Sequence, residues 1–372
     1  MTGTAPIRKV ILESGSRNRA LSNAILKRLP GVPVQSPRSR DREDPFAGID
    51  PGKSTLHLLP YQGEFLKPCP GTKNYICCGY QILNVGTNCP MDCSYCILQA
   101  YFNHPYLRVF TNLAEELDHV LARIDRNPHR IFRVGTGEFT DSLALEPLTR
   151  WSGLILAPFS ERKNAILELK TKTVHIGGLL DAPVRDRIVV SWSLNSPFIV
   201  KNEEHGAAGL RSRLEAARRC QSEGFALGFH FDPLVLHSNW QEGYLRTLDL
   251  MDHYLEPKNI IWISLGSFRY MPDLKPIIRK RHPRTCVLDG EFIMGLDGKM
   301  RYFKPLRTAL YAFMGEHLSR WSPDLGLYLC MESHDVWQAS LGWSPKESKG
   351  LSDYLDQRVL RIFGGNPKED VI

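Results

Sequence analysis

From Tyr80 onward, short apolar runs alternate with longer stretches of helical periodicity. The runs near 80–87, 131–136, 165–170, 187–194, 225–231 and 259–265 read as strands. Between them, 112–125, 143–160, 208–223 and 240–254 carry apolar residues at helical spacing. The link between the third and fourth strands is short. Alternation of this kind implies parallel strands joined by right-handed crossovers. Six such units predict an α/β fold, a partial (β/α)6 TIM-like barrel that is more open than the closed eightfold form. In barrels, the loops after the carboxyl ends of the strands build the active site.

The loop after the first of these strands is Asn88-Cys89-Pro90-Met91-Asp92-Cys93-Ser94-Tyr95-Cys96. Its cysteines are spaced C-x3-C-x2-C, and no fourth stands at a matching distance. Three thiolates suit three irons of a cubane [4Fe–4S] cluster and leave the fourth iron without a protein ligand. An open coordination position marks chemistry, since a purely structural site is closed. Structural zinc asks for four ligands, commonly in paired C-x2-C units. Cys77-Cys78 would add one ligand at best. A disulfide framework belongs to small secreted domains.

The remaining composition is that of an ordinary globular chain, 42% apolar and 23% charged over 372 residues. No run of about 18 apolar residues predicts a membrane span. The first residues lack the apolar core of a signal peptide. With nine cysteines, these features point to a reducing cytoplasm. The net charge of +7 is weak evidence for a nucleic-acid partner until its placement is known.

The chain divides into an N-terminal α/β portion at 1–78, the barrel at 79–284 and a C-terminal extension at 285–372. In the first, 7–13 reads as a strand and 18–28 as a helix. The charged stretch 36–43, SPRSRDRE, reads as a solvated loop, with a phosphate-binding arm as the sharper alternative. In the last, Asp297-Gly298 between 291–294 and 299–303 is a hairpin signal. A helix near 307–318 and an apolar strand, Leu327–Cys330, follow.

The cysteine spacing, with an aromatic residue just before Cys96, resembles the radical S-adenosylmethionine superfamily. A longer ordered set narrows this. Cys93-Ser94-Tyr95-Cys96-Ile97-Leu98-Gln99 continues into Pro105-Tyr106-Leu107-Arg108-Val109-Phe110-Thr111-Asn112. Then come Thr171-Lys172, Ser193-Leu194-Asn195-Ser196, Gly228-Phe229 with Asp232-Pro233, and His237 with Trp240, Glu242, Gly243 and Tyr244. In order and gaps these resemble the spore photoproduct lyases and their lyase-like relatives over roughly 55–270. The resemblance implies a [4Fe–4S] cluster on Cys89, Cys93 and Cys96, and S-adenosyl-L-methionine as cofactor. It further implies reductive cleavage to a 5′-deoxyadenosyl radical, hydrogen abstraction from a DNA lesion, and a reductase or a flavodoxin- or ferredoxin-type electron donor. The cofactor carries the difficult chemistry, and the protein binds, orients and shields.

One position departs from the family. Where the lyases carry a hydrogen-donating cysteine after the second barrel strand, this chain has Glu138, in Gly135-Thr136-Gly137-Glu138. That run resembles the Gly-Gly-Glu motif of other radical enzymes, whose backbone and carboxylate hold the methionine ammonium. The bland alternative is a turn with a solvated glutamate. Tyr95, between two cluster ligands, matches a position that packs on or hydrogen-bonds the adenosyl group, with a catalytic redox role as a further expectation. Lys172, Ser193 and Asn195 match positions suited to carboxylate and ribose contacts, and each alone is equally well a satisfied barrel residue. His230, Asp232, His237 and Arg269 gather near the ends of the fifth and sixth strands as substrate contacts. Their spacing fits no metal template.

In the hairpin, Arg301, Tyr302 and Lys304 mix cations with aromatics, a pattern suited to phosphates and unstacked bases. Ordinary edge-protecting charge is the alternative. The basic run Arg279–Arg284 lies just before it. Cys330, at a strand end, is the candidate replacement hydrogen donor, although a free cysteine is by default a small buried hydrophobe. The expected activity is that of a lyase-like enzyme acting on nucleic acid. Modification of a peptide or small metabolite is the competing enzyme reading, and an iron–sulfur sensor the non-enzymatic one.

Overall fold

A computed structural model of the chain describes residues 6–37 and 52–364. Most of the charged loop 36–43 and the residues at the N-terminus before Pro6 lie outside the described residues. Its centre is a curled sheet. In chain order its strands are β4 (Leu66–Pro68), β5 (Gln81–Leu83), β9 (Phe132–Gly135), β10 (Ala165–Thr171), β11 (Ile188–Ser193), β13 (Ala226–Leu234), β14 (Ile260–Ser267) and β18 (Leu327–Leu329). They stand side by side as β18-β14-β13-β11-β10-β9-β5-β4. All neighbours are parallel except the edge pair β4–β5.

The strands read as near-continuous apolar runs because helices cover the outer face. All six residues of β11 and all eight of β14 are buried. The polar residues within them fall on alternate positions, which the two-residue period of a strand sends to one face. Glu168, Lys170 and Lys172 share that phase, as do Ser191 with Ser193, and Gly228 with His230 and Asp232. The register Lys170↔Ser191, Ser191↔Gly228 and Ser193↔His230 sets them side by side. A column of polar side chains therefore climbs the concave face of the sheet.

A second sheet carries β1 (Lys9–Leu12), β2 (Val34–Gln35), β3 (Thr55–Leu59), β6 (Gly86–Thr87) and β8 (Leu107–Phe110), in the order β2-β1-β3-β8-β6. The expected strand 80–87 thus divides: β5 belongs to the barrel, and after Asn84 the chain crosses into this sheet as β6. The cysteine loop leaves from β6, and the chain returns to the same sheet as β8.

The expected divisions at 78/79 and 284/285 do not separate the sheets. The N-terminal sheet takes β6 and β8 from within 79–284, while the barrel takes β4 from one side and β18 from the other. The barrel sheet consequently has one more parallel strand than the six expected. Hydrogen-bond pairing, not chain order, sets the units.

The expected helix 143–160 is broken at Arg150, whose φ of 51° is left-handed. It becomes Glu146–Thr149 and Ser152–Ser160. The hairpin forms as β16 (Phe292–Met294) and β17 (Met300–Tyr302), with Gly298 at φ 74° in its turn. β15 (Arg269–Tyr270) adds a third strand. Helices His334–Leu341 and Ser348–Phe363 were not anticipated.

Candidate active site

Cys89, Cys93 and Cys96 line one wall of a cavity at the carboxyl ends of the barrel strands. The opposite wall brings together Gly137, Glu138, Lys170, Lys172, Ser193, His230, Asp232 and Arg269, with Tyr95 between the cysteines. Eleven of the residues expected from sequence as site residues therefore meet here. Lys170 was missed, although it shares a strand face with Lys172 and the period of two would have found it.

The cysteine loop is shaped by contacts from distant parts of the chain. Its segment Asp92–Cys93 (β7) pairs antiparallel with Glu204–His205 (β12). The Asp92 carboxylate accepts from Lys53 Nζ at 2.8 Å and from Arg281 Nη2 at 2.7 Å. Burial opposes its charge, but these two cations hold its carboxyl down at about 2. Gln99 Nε2 donates to the carbonyls of Cys93 and Ser94 at 3.2 and 2.9 Å. Its Oε1 accepts from Arg281. Ser94 donates to Glu203, which also accepts from Thr285 Oγ1 at 2.6 Å and from the Cys286 amide at 3.0 Å.

Tyr95 donates its hydroxyl hydrogen to Glu204. The other Glu204 oxygen accepts from Arg213 Nη2 at 2.5 Å, and Arg213 Nη1 donates to the Ser193 carbonyl at 2.9 Å. The Lys172 ammonium lies 5.8 Å from the Tyr95 ring centroid. Burial pushes the Tyr95 phenol well above its usual pKa, with the Glu204 carboxylate adding to the effect. Tyr95 is a fixed, neutral donor in the cavity wall.

The donor set fits a cubane cluster. Among the described residues no group of three or more His, Cys, Asp and Glu side chains is arranged around a single metal ion. A cubane does not require that, because each thiolate takes a different corner. Burial pushes the Cys93 thiol up to about 12, against the pull of Lys172, and raises that of Cys89. Loading would deprotonate both.

On the opposite wall, Glu138 and Lys170 pair at 3.7 Å. Burial works against the Lys170 ammonium, but Glu138, Glu168 and Asp232 keep its pKa above the usual value. Asp232 meets Arg269 through both oxygens at 3.2 Å. Beneath them, Glu168 Oε1 lies 2.9 Å from His230 Nε2 and accepts from Trp262 Nε1 at 2.9 Å and from Ser191. A side chain at position 228 would collide with Ser191 Oγ and Trp262 Nε1, so Gly228 makes room for this network. Sequence reasoning missed Glu168, whose signal was a lone carboxylate in an apolar strand.

Other expected site residues stand elsewhere. Gly135 and Thr136 pack below the cavity, where a Cβ on Gly135 would collide with Tyr80 and Thr136 donates to Ser142 Oγ at 2.7 Å. Asn195 ties the barrel together, donating to the Pro233 carbonyl at 2.7 Å and accepting from Tyr244 at 2.8 Å. His237 stacks on Phe198 and reaches Ser196 Oγ at 2.8 Å. Cys330 sits behind the wall, its sulfur 3.5 Å from Arg269 Nη2.

Arg301 and Tyr302 are corrections to the exposed hairpin face expected from sequence. Arg301 is 1% exposed and Tyr302 fully buried. Arg301 Nη2 donates to Asp297 at 2.7 Å, and its Nη1 donates to the Met331 carbonyl at 3.0 Å. The Tyr302 hydroxyl accepts from the Leu236 amide at 3.1 Å. Both faces of a three-stranded sheet cannot be wet when one covers the barrel rim. Lys304 pairs at the surface with Asp335 at 2.6 Å.

A family model described as spore photoproduct lyase matches residues 77–303. Spore photoproduct lyase of Bacillus subtilis is 29% identical over 209 residues, 55% of this chain and 61% of that protein. The chain therefore spans less than two thirds of that relative's length. Spore photoproduct lyase of Clostridium acetobutylicum is 24% identical over 308 residues, 80% of this chain and 87% of that one. A solved spore photoproduct lyase complexed with dinucleoside spore photoproduct has the same fold, with a TM-score of 0.76 at 23% identity, covering 88% of this chain and 98% of that one. A mutant lyase with bound AdoMet and dinucleoside spore photoproduct gives 0.76 at 22% identity, covering 88% and 99%.

Proposed function

Because the chain belongs to the spore photoproduct lyase family, we propose that it is a radical S-adenosyl-L-methionine enzyme acting on a DNA lesion. The carrying observation is the single cavity with three thiols on one wall and a polar array on the other. Cys89, Cys93 and Cys96 would hold a [4Fe–4S] cluster. With S-adenosyl-L-methionine bound, that cluster would supply the one-electron reductive chemistry that starts hydrogen abstraction from the substrate.

The chain's own groups bind and orient. The Glu138 carboxylate offers a partner for the methionine ammonium. Lys172 and Ser193 offer a cation and a hydroxyl to its carboxylate and to ribose. Tyr95 is held by Glu204 against the adenosyl side. His230, Asp232 and Arg269 face the substrate, with His230 fixed by Glu168. The family's donor position is Glu138 here, so the hydrogen returned to the substrate radical is assigned to Cys330, beside Arg269. The new C–H bond forms as the S–H bond breaks. A one-electron donor of the flavodoxin or ferredoxin class and a proton restore the thiol.

Burial and the facing Asp232 carboxylate keep the Cys330 thiol protonated, against the pull of Arg269. Such a group can give a hydrogen atom. The oxygen-sensitive cluster and nine unpaired cysteines suit a reducing cytoplasm. Among the described residues no helix is long and apolar enough to cross a membrane.

The test is anaerobic reconstitution with dithionite and S-adenosylmethionine, quantifying 5′-deoxyadenosine in wild type and Cys93→Ala. Formation in wild type alone supports the reading, and ultraviolet-damaged DNA is the substrate to add next. No 5′-deoxyadenosine with or without DNA, from protein with an intact cluster, overturns it. The Glu138–Lys170 pair in place of a thiol favours the second reading, modification of a peptide or small metabolite. That reading predicts no salt-dependent DNA binding.

A further inference from the structure

A second cavity lies between the cysteine loop and the N-terminal sheet, separate from the thiol-lined one. Its floor is one face of β8. Arg108 and Phe110, two residues apart on that strand, both line it. Its walls are aromatic. Tyr61 stacks on Phe110 with centroids 4.3 Å apart, and Tyr101 on Phe139 at 5.4 Å. Tyr101 is 52% exposed, which is unusual for so large a ring. Lys67 reaches over Phe139, its ammonium 4.6 Å from the centroid.

Three buried polar atoms of residues lining this cavity meet no partner among the described residues: the acceptor Asn84 Oδ1, the donor Arg108 Nε–H and the ring nitrogen His104 Nδ1. Asn84 is only 3% exposed. A buried polar group without a partner costs free energy that a bound ligand recovers. The site thus offers the Arg108 donor, the Asn84 acceptor, an imidazole nitrogen and flat apolar walls, with the Lys67 cation and the Glu13 carboxylate among its lining residues. A nucleobase presents the complement: a planar ring to stack, an edge carrying both acceptor and N–H, and a phosphate tethered nearby. A fatty chain leaves Asn84 and Arg108 unmet, and a bare anion makes no use of the aromatic walls.

We infer that this second cavity binds a nucleotide, its base edge between Asn84 and Arg108, its ring against Tyr101 and its phosphate toward Lys67. The inference deepens the nucleic-acid reading of the chain and rests on it. The nucleotide comes either from a strand running past the lesion or from the free pool. The position has a consequence for the site next door. Phe139 follows Glu138 directly, and its carbonyl accepts from the Asn88 amide at 2.9 Å. Tyr101 and Phe102 follow the cysteine loop. A base held here braces the loop from behind.

The experiment is calorimetric titration of the reconstituted full-length protein, under anaerobic conditions, with dTMP, with a short oligothymidylate and with a duplex. Saturable binding of dTMP supports the free-nucleotide source, and binding of the oligonucleotide alone supports the strand. Tyr101→Ala, at an exposed position, should weaken binding about tenfold or more. Asn84→Leu should do the same while raising the Tm of the unliganded protein, because it removes an unmet buried acceptor. Saturating S-adenosylmethionine should leave binding unchanged.

No saturable binding of any of the three ligands overturns the inference. So does unaltered affinity in Tyr101→Ala, or displacement by S-adenosylmethionine, which would put the nucleotide in the first cavity. Failure here leaves 5′-deoxyadenosine formation untouched. Failure of that reaction leaves nucleotide binding untouched, so the two readings fall separately.

Discussion

Glu168 and His230 meet at 2.9 Å on the concave face of the barrel sheet, two strands apart. The pair fixes the imidazole that lines the cavity, as a carboxylate behind a histidine commonly does.

Burial opposes the Glu168 charge, but His230, Ser191 and Lys170 hold its pKa at about 2, below the ordinary 4.5. A depressed carboxyl contributes stability that is complete above the ordinary pKa and lost as pH falls through the folded one. Between pH 4.5 and 2 this group should cost the protein about 3 kcal/mol. Glu168→Gln should flatten the acid limb of stability against pH by that amount, measured by urea unfolding across the range. An unchanged acid limb would refute the assignment.

Arg281 braces the cysteine loop through Asp92 and Gln99. Arg281→Ala should loosen cluster retention about tenfold or more, as loss of an outer partner does at metal sites. Iron content after a chelator challenge is the readout. The apo protein should lose some stability too, since Asp92 keeps only the Lys53 cation at hydrogen-bond distance, so retention is compared well below both melting temperatures.

Arg301 and Lys304 separate interior from surface charge. Arg301→Ala takes both guanidinium hydrogen bonds from the buried Asp297, leaving it only the Lys299 cation at 3.7 Å, and should cost about 3 kcal/mol. Lys304→Ala removes an exposed pair worth less than about 1 kcal/mol. Thermal melts of the two variants should diverge accordingly. Equal melts would put Arg301 back on the surface.

Cys330→Ser should lower repaired product about tenfold or more while 5′-deoxyadenosine still forms. In D2O the wild type should place deuterium on the product carbon from its exchangeable thiol, and the variant should not. Unchanged product and isotope content would remove Cys330 from the chemistry.

The barrel was legible because apolar runs and helical spacing repeat six times, and the cysteine loop because its spacing is short-range. Lys172, Ser193, His230 and Asp232 line one cavity because strand ends in a barrel converge. Arg301 and Tyr302 misled, since a hairpin sequence does not say which of its faces is covered. Lys53, Glu203 and Glu204 carry no local signature at all, and Arg281 only that of a basic run. Their role exists only once β12 pairs with β7 and the helix Leu274–Arg281 reaches Asp92. The seventh parallel strand, β18, was read as a strand but not as part of the barrel, because nothing in its residues names its neighbour.

The fastenings of the cysteine loop run from Lys53 to Cys286 along the chain. During translation the three thiols emerge from the ribosome long before Arg281, Thr285 and Cys286 are made. A nascent chain therefore displays C-x3-C-x2-C on an unbraced segment, open to stray metal and to oxidation. On the proposed reading, orderly iron–sulfur loading would belong to the finished polypeptide, and delivery of a cluster would wait for the last of the loop's distant anchors.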